Sequence, residues 1–321
     1  MLKSLLRCGA VLFALCLAPL HASFADSYPS RPITLIVPWG PGGGADSLAR
    51  ITSKIIAPDL GVSIPIVNMP GATGQTGLTQ LLTSPADGYT MAVLTGDTLA
   101  LLASPSARFK LDDFIPLGIM IQQVSGFYVN AAGPLQSWDD VVKAAKTRQL
   151  KVAITGYGSP DAITVGYFKA HGVDLQAIPF SAPGLRYTSV LGGQSDLLYT
   201  QAGDVRSFIE GKQIKPVIFF NDKPFDVAGF GDVPYSVKLG YQATLHQIRV
   251  IIVRAGTDPQ IVKKLSDALA KAAASGEYQE YLKHQYAVPE SYVSSADSIA
   301  YMKTWLAQAK VLASAQPGSD K

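Results

Sequence analysis

Residues 33–38 (ITLIVP) form an unbroken apolar run, the pattern of a strand buried on both faces of a parallel sheet. A Gly/Pro turn follows at residues 40–44, after which Leu48, Ile51 and Ile55 recur at helical spacing. The alternation continues with a strand over 64–67, a short helix over 76–82 and a strand over 89–94. Such alternation predicts βαβ units and a parallel sheet. After a helical stretch near 99–103, residues 114–130 read as nearly continuous strand, broken around 122–126. An extended segment of that length suits a crossover between two domains.

A second alternation starts at Trp138. Helices are predicted over 138–147, 161–170, 184–191 and 204–210, and strands over 151–154, 176–180, 196–199 and 214–220. Residues 221–234 are rich in Pro, Gly and Asp and read as loop; residues 246–254 form another strand. Asp258-Pro259 then starts a helix, with Asp at the N-cap and Pro at the first helical position. Two further helices, at about 277–284 and 295–313, follow, and no repeat of solenoid period is visible. The economical reading is two α/β lobes joined by extended crossovers. Residues 26–125 and 246–321 make lobe 1, and residues 126–245 make lobe 2.

Composition narrows the function. Of 321 residues, 48% are hydrophobic and 16% charged, against roughly 25% charged in ordinary domains, so material for two cores is ample and disorder is excluded. The formal charge is only +3, which argues against a nucleic-acid partner, since phosphate binding needs a basic face. Lys3 and Arg7 precede a 13-residue apolar run over 8–20, too short to span a membrane, and Ser23-Phe24-Ala25 offers small residues at −3 and −1. Residues 1–25 therefore read as an export signal cleaved after Ala25; an uncleaved N-terminal anchor is the alternative. Cleavage removes Lys3, Arg7 and both cysteines, Cys8 and Cys16, and leaves 25 basic against 24 acidic side chains. Without cysteine there is no intramolecular disulfide and no Cys-based zinc site. With so little net charge, capture of an anion is expected to rest on backbone amides rather than on a basic cluster.

Three glycine-rich turns follow predicted strands: Pro38-Trp39-Gly40-Pro41-Gly42-Gly43-Gly44, Pro70-Gly71-Ala72-Thr73-Gly74 and Thr155-Gly156-Tyr157-Gly158-Ser159. Gly40, Gly42 and Ala45 formally satisfy a dinucleotide fingerprint. The acidic residue that should close the second strand is replaced by Asn68, and no Gly-Lys-Ser/Thr follows for a P-loop. Each turn alone is explained by a tight bend. Three of them, divided between two lobes, place helix N-termini at a common cleft and favour a small anionic ligand. Catalytic constellations are poor: only His171, His246 and His284 remain outside the signal, none in a glycine turn, and no G-x-S-x-G or H-E-x-x-H occurs. Asp46, Asp97 and Asp161 fit helix N-caps better than an acid/base pair. The rival reading is an exported α/β hydrolase acting on a small acid. Ser159 is its best nucleophile, with no histidine placed to activate it.

At residues 28–50 (YPSRPITLIVPWGPGGGADSLAR), 71–77 (GATGQTG), 85–90 (PADGYT), 155–159 (TGYGS), 191–197 (LGGQSDL), 231–234 (GDVP) and 255–265 (AGTDPQIVKKL), the chain resembles the Bug family, the TctC-like receptors of tripartite tricarboxylate transporters. The resemblance implies a two-lobed periplasmic-binding-protein (Venus flytrap) fold, each lobe a mostly parallel sheet flanked by helices. It implies a periplasmic, monomeric receptor without cofactor, metal or catalysis. Its ligand would be a small carboxylate (a di- or tricarboxylate or an aromatic acid), delivered to membrane permease subunits; a sensing role without transport is the alternative. Carried over by position, the first-lobe contacts are Trp39, Pro41, Gly42, Gly43, Gly71, Ala72, Thr73, Gly74 and Thr95. The second lobe supplies Thr155, Tyr157, Gly158, Ser159, Phe180, Tyr199, Thr200 and Gln201, with Arg186 a candidate for a distal carboxylate and a solvated surface arginine the alternative. The chain departs from the family pattern at Thr200, often acidic there, at Phe180-Ser181-Ala182, and at Val67. A missing carboxylate at Thr200 would disfavour an ammonium-bearing ligand.

Overall fold

The computed structural model describes residues 28–103, 107–227 and 229–315. The expected export signal at residues 1–25 lies outside them. Strands and helices alternate as β1 (Thr34–Val37), α1 (Gly44–Leu60), β2 (Ile66–Asn68), α2 (Gln75–Thr83), β3 (Thr90–Thr95) and the short α3 (Gly96–Leu99). Two long strands follow, β4 (Phe114–Gln123) and β5 (Ser125–Asn130), parted only at Val124. The next series is α4 (Trp138–Ala145), β6 (Leu150–Ile154), α5 (Pro160–Ala170), β7 (Leu175–Pro179), α6 (Pro183–Ser189), β8 (Leu197–Gln201), α7 (Arg206–Glu210) and β9 (Ile214–Phe219). β10 (Gln247–Arg254), α8 (Pro259–Ala273), α9 (Gly276–His284), β11 (Val293–Ser294) and α10 (Ser295–Ser314) complete the order.

The strands form two sheets. One runs β11-β4-β10-β3-β1-β2 and the other β7-β6-β8-β5-β9. The chain thus passes from the first sheet to the second between β4 and β5, and returns between β9 and β10. The two-lobed α/β architecture is as the sequence implies, but the pairing is mixed rather than mostly parallel. β1 pairs in parallel with β2 and β3, and β6 with β7 and β8, while β10 runs antiparallel to β3 and β4, and β5 antiparallel to β8 and β9. The crossovers are the cause. Strands that return through the edge by which their neighbours leave must run against them.

Three apolar clusters hold these layers. On one face of the first sheet, Leu35, Val37, Val93 and Ile251 pack with Leu48 and Ile56 of α1 and Leu265 and Leu269 of α8. The opposite face belongs to a cluster that continues into the second sheet, joining Ile36, Leu94 and Val250 to Phe127, Ile154 and Phe168, with Trp305 of α10. Leu198, Tyr128 and Tyr187 anchor the third cluster, on the face of the second sheet opposite the shared cluster. Local signals agree with the tertiary plan. Asp258 caps α8 by accepting the Gln260 amide at 2.7 Å, with Pro259 in the first turn, as its sequence predicts.

Candidate functional site

Because β1, β2 and β3 point the same way, the turns after them share one edge of the first sheet; β6, β7 and β8 bring theirs to one edge of the second. Such edges are where open α/β sheets place ligands. Between the two edges lies a cavity of about 40 Å³. That is room for a few waters and far below the roughly 300–1,000 Å³ of a small-molecule site, so the lobes are closed on each other. The first sheet contributes Trp39, Gly43, Gly44, Thr95, Asp97 and, from the start of β10, Gln247 and Arg249. The second contributes Thr155, Phe180, Ser181, Arg186, Tyr199, Gln201 and Asp204.

The turn between β1 and α1 is built for this place. Gly43 is the N-cap of a 17-residue helix, and no side chain caps it. The first-turn N–H groups, which have no partner inside the helix, therefore lie beside the cavity with the positive end of the helix dipole. Asn68 at the end of β2 donates to the Trp39 carbonyl and to Asp46, both at 3.0 Å. The residue that argued against a dinucleotide site thus pins the turn instead. Burial raises the Asp46 carboxyl, but hydrogen bonds from Arg50, the Gly42 amide and Asn68 outweigh it and hold the group below its ordinary range. The Trp39 indole donates to Thr95 Oγ1 at 3.2 Å, joining the first turn to the end of β3.

Two buried guanidiniums stand in the wall. Arg249 is 3% exposed, pairs with Asp204 at 2.6 Å and also donates to Gln123. Arg249 belongs to the first sheet and Asp204 to the segment after β8, so this ion pair bridges the lobes. Gly44 makes room for it: a Cβ there would collide with the Arg249 guanidinium and the Asp204 carboxylate. Arg186, 8% exposed, donates to Thr155 Oγ1 and lies 3.6 Å from Asp161, whose other contact is the Thr155 amide at 2.6 Å. Burial opposes the charge on both arginines, but nearby groups, led by Tyr187 and Asp161 for Arg186 and by Asp204 for Arg249, keep them firmly protonated. Asp97 differs. It accepts the Gln247 amide at 2.7 Å, and burial, then the Asp161 carboxylate, push its carboxyl well above the usual range.

Other expected residues stand elsewhere. Pro41 and Gly42 are exposed outside the cavity. The Gly71-Ala72-Thr73-Gly74 turn does not line it; Thr73 Oγ1 instead reaches the Tyr157 carbonyl across the lobes at 3.3 Å. Tyr157 is 65% exposed, and Gly158 packs against Leu101. Ser159 is fully buried as the N-cap of α5, accepting the Ala162 amide and donating to the Gly156 carbonyl, which leaves no nucleophile there. Thr200 points to the opposite face of β8 from Tyr199 and Gln201, as strand alternation requires. The three aspartates are not N-caps: Gly43, Thr95 and Ser159 hold those positions. None of the three described histidines lines the cavity. Asp97, Asp204, Gln247 and Arg249 were missed by sequence reasoning. The signal for the last two is a pair of polar residues at alternate positions in QIRVIIVR, an otherwise apolar strand. Beside the helix-start amides on which anion capture was expected mainly to rest, the cavity wall holds two arginines from distant segments, the expected Arg186 and the unexpected Arg249.

Comparison with known proteins identifies the lineage. A family model, described as the tripartite tricarboxylate transporter family receptor, matches residues 48–315. The chain belongs to this receptor family. Its members are solute-binding proteins rather than enzymes. BugT of Bordetella pertussis is similar to this receptor at 27% identity over 274 residues, covering 83% of each chain. A TctC solute-binding protein from Polaromonas, solved without ligand, shares 28% identity over 89% of this chain and 98% of its own, with a TM-score of 0.64. MatC from Rhodopseudomonas palustris, solved with bound malate, superposes with a TM-score of 0.82 at 23% identity, covering 89% of the receptor and all of MatC.

Proposed function

We propose that this receptor works in the periplasm, capturing a small carboxylate between its lobes and handing it to the membrane subunits of a tripartite tricarboxylate-type transporter. The observation that carries the reading is the cavity between the two sheet edges, where the uncapped start of α1 faces two buried guanidiniums, Arg186 and Arg249. Helix-start amides and guanidiniums are the two protein groups best suited to a carboxylate. The bound malate of MatC, a family-fold protein, supports the same class of ligand.

In this reading the carboxylate meets Gly43, Gly44, Thr95, Thr155 and the two arginines, while Trp39, Phe180 and Tyr199 shape the apolar remainder. The lobes divide at residues 125/126 and 245/246, and opening about these crossovers admits the ligand; the single-residue break at Val124 supports the first. Closure onto a ligand that touches both lobes shifts the population toward the closed state. Export with loss of residues 1–25 and a monomeric receptor complete the proposal. The test is thermal unfolding of the purified protein against mono-, di- and tricarboxylates and amino acids. A true ligand at about 100 times its Kd adds roughly 2.7 kcal/mol. Failure of every carboxylate to raise Tm, or consumption of one, overturns the reading.

A further inference from the structure

We propose that the ligand carries a cationic amino group as well as its carboxylate, and that Asp97 receives that amino group. This rests on the receptor reading above and names its substrate class. The cavity wall leaves acceptors unmatched. Asp97 lines the cavity and is 7% exposed, yet its side-chain carboxyl meets a neutral amide, Gln247 Nε2 at 2.7 Å, and among the described residues no cation lies within ion-pair distance of it. A second acceptor is open nearby. Asp204 gives one carboxylate oxygen to Arg249, while its Oδ1, on a side chain 2% exposed, has no hydrogen-bond partner. Asp161, fully buried behind Thr155, also keeps an unpartnered Oδ1.

Charge makes the same point. Three carboxyls (Asp97, Asp161, Asp204) meet two guanidiniums, and each guanidinium is already claimed by one carboxylate. A ligand bearing only carboxylates adds negative charge to a buried site that is short of cations. One bearing an ammonium group supplies both the missing charge and the missing donors. Its carboxylate then faces the start of α1 and the guanidiniums, and its ammonium faces Asp97. Burial, then the Asp161 carboxylate, push the Asp97 carboxyl up, and the opposing pull of Arg186, Gln247 and Arg249 does not cancel it; an ammonium group placed beside it would favour its charged form. The absence of an acidic residue at Thr200, which pointed away from such ligands, loses its force because Thr200 lies on the other face of β8.

The experiment is isothermal titration calorimetry with matched pairs, succinate against aspartate and glutarate against glutamate, with malate as a neutral-donor control. The amino-bearing member of at least one pair binds at least about tenfold tighter, and tighter than malate if that pair is the four-carbon one. In Asp97→Asn the ratio of the amino member's affinity to that of its des-amino partner falls about tenfold or to unity. A des-amino acid that matches its amino partner in both pairs overturns this proposal and leaves the receptor reading standing. So does an undiminished amino preference in Asp97→Asn. Should that variant fail to fold, the wild-type pairs still decide. Binding by no member of either pair, nor by any other carboxylate, overturns the receptor reading and this proposal with it.

Discussion

The two glycine turns of the first lobe look alike in sequence and do different work. Both follow a parallel strand at the same sheet edge and both open a helix. In the turn before α2, Gly71 and Gly74 have φ of 140° and 88°, and the space where their Cβ atoms would stand is filled from within the lobe, by Thr76 and Thr98. In the turn before α1, the space at Gly44 is filled by Arg249 and, from the other lobe, by Asp204. One turn closes on itself and reaches the second lobe through the Thr73 side chain; the other admits a charged pair and borders the cavity. Glycine thus reports a close approach, and the identity of what approaches decides the function.

Mutation should pull the two turns apart. Arg249→Met leaves the Asp204 carboxylate buried without its cation. The expected loss is about 3–5 kcal/mol of stability, measured by urea unfolding, together with loss of carboxylate binding. Gly44→Ala forces the same pair aside. We expect a cost of about 1–3 kcal/mol and a carboxylate affinity reduced by about tenfold or more in calorimetry. Gly74→Ala places a Cβ at positive φ against Thr98 and costs about 1–2 kcal/mol, yet the carboxylate Kd should stay within about threefold, because the site is elsewhere. Thr73→Val removes one exposed hydrogen bond. Its effect on Tm corresponds to about 0.5 kcal/mol or less, with binding unchanged. Equal losses of affinity in Gly44→Ala and Gly74→Ala would erase the distinction between the turns.

The fold was legible because nearly every element carries its own period. The run ITLIVP, the alternation after Trp138 and the Asp258-Pro259 helix start all report local structure that the tertiary packing keeps. β11 was not legible, since two residues hold no periodicity and the strand exists only by pairing with β4. The antiparallel runs of β5 and β10 follow from the path of the crossovers, which no local pattern encodes. The site was legible in part. Trp39, Gly43, Thr95, Thr155, Phe180, Arg186, Tyr199 and Gln201 do come together at the cavity. Asp97, Asp204 and Arg249 were hidden because each is an ordinary residue in its own segment and becomes part of a site only when segments far apart in sequence meet, Asp204 with Arg249 across 45 residues and Asp97 with Gln247 across 150. A low net charge gave no warning of them: it counts charges and does not place them.

The central claim is that a carboxylate binds where α1 starts, between Arg186 and Arg249, and not at the other glycine turn. A crystal structure with the carboxylate or amino acid selected by the thermal screen tests this most directly. Ligand carboxylate oxygens should lie within hydrogen-bond distance of the first-turn amides of α1 and of at least one of the two guanidiniums. A ligand seated on the Gly71–Gly74 turn, or outside the cavity altogether, would contradict it.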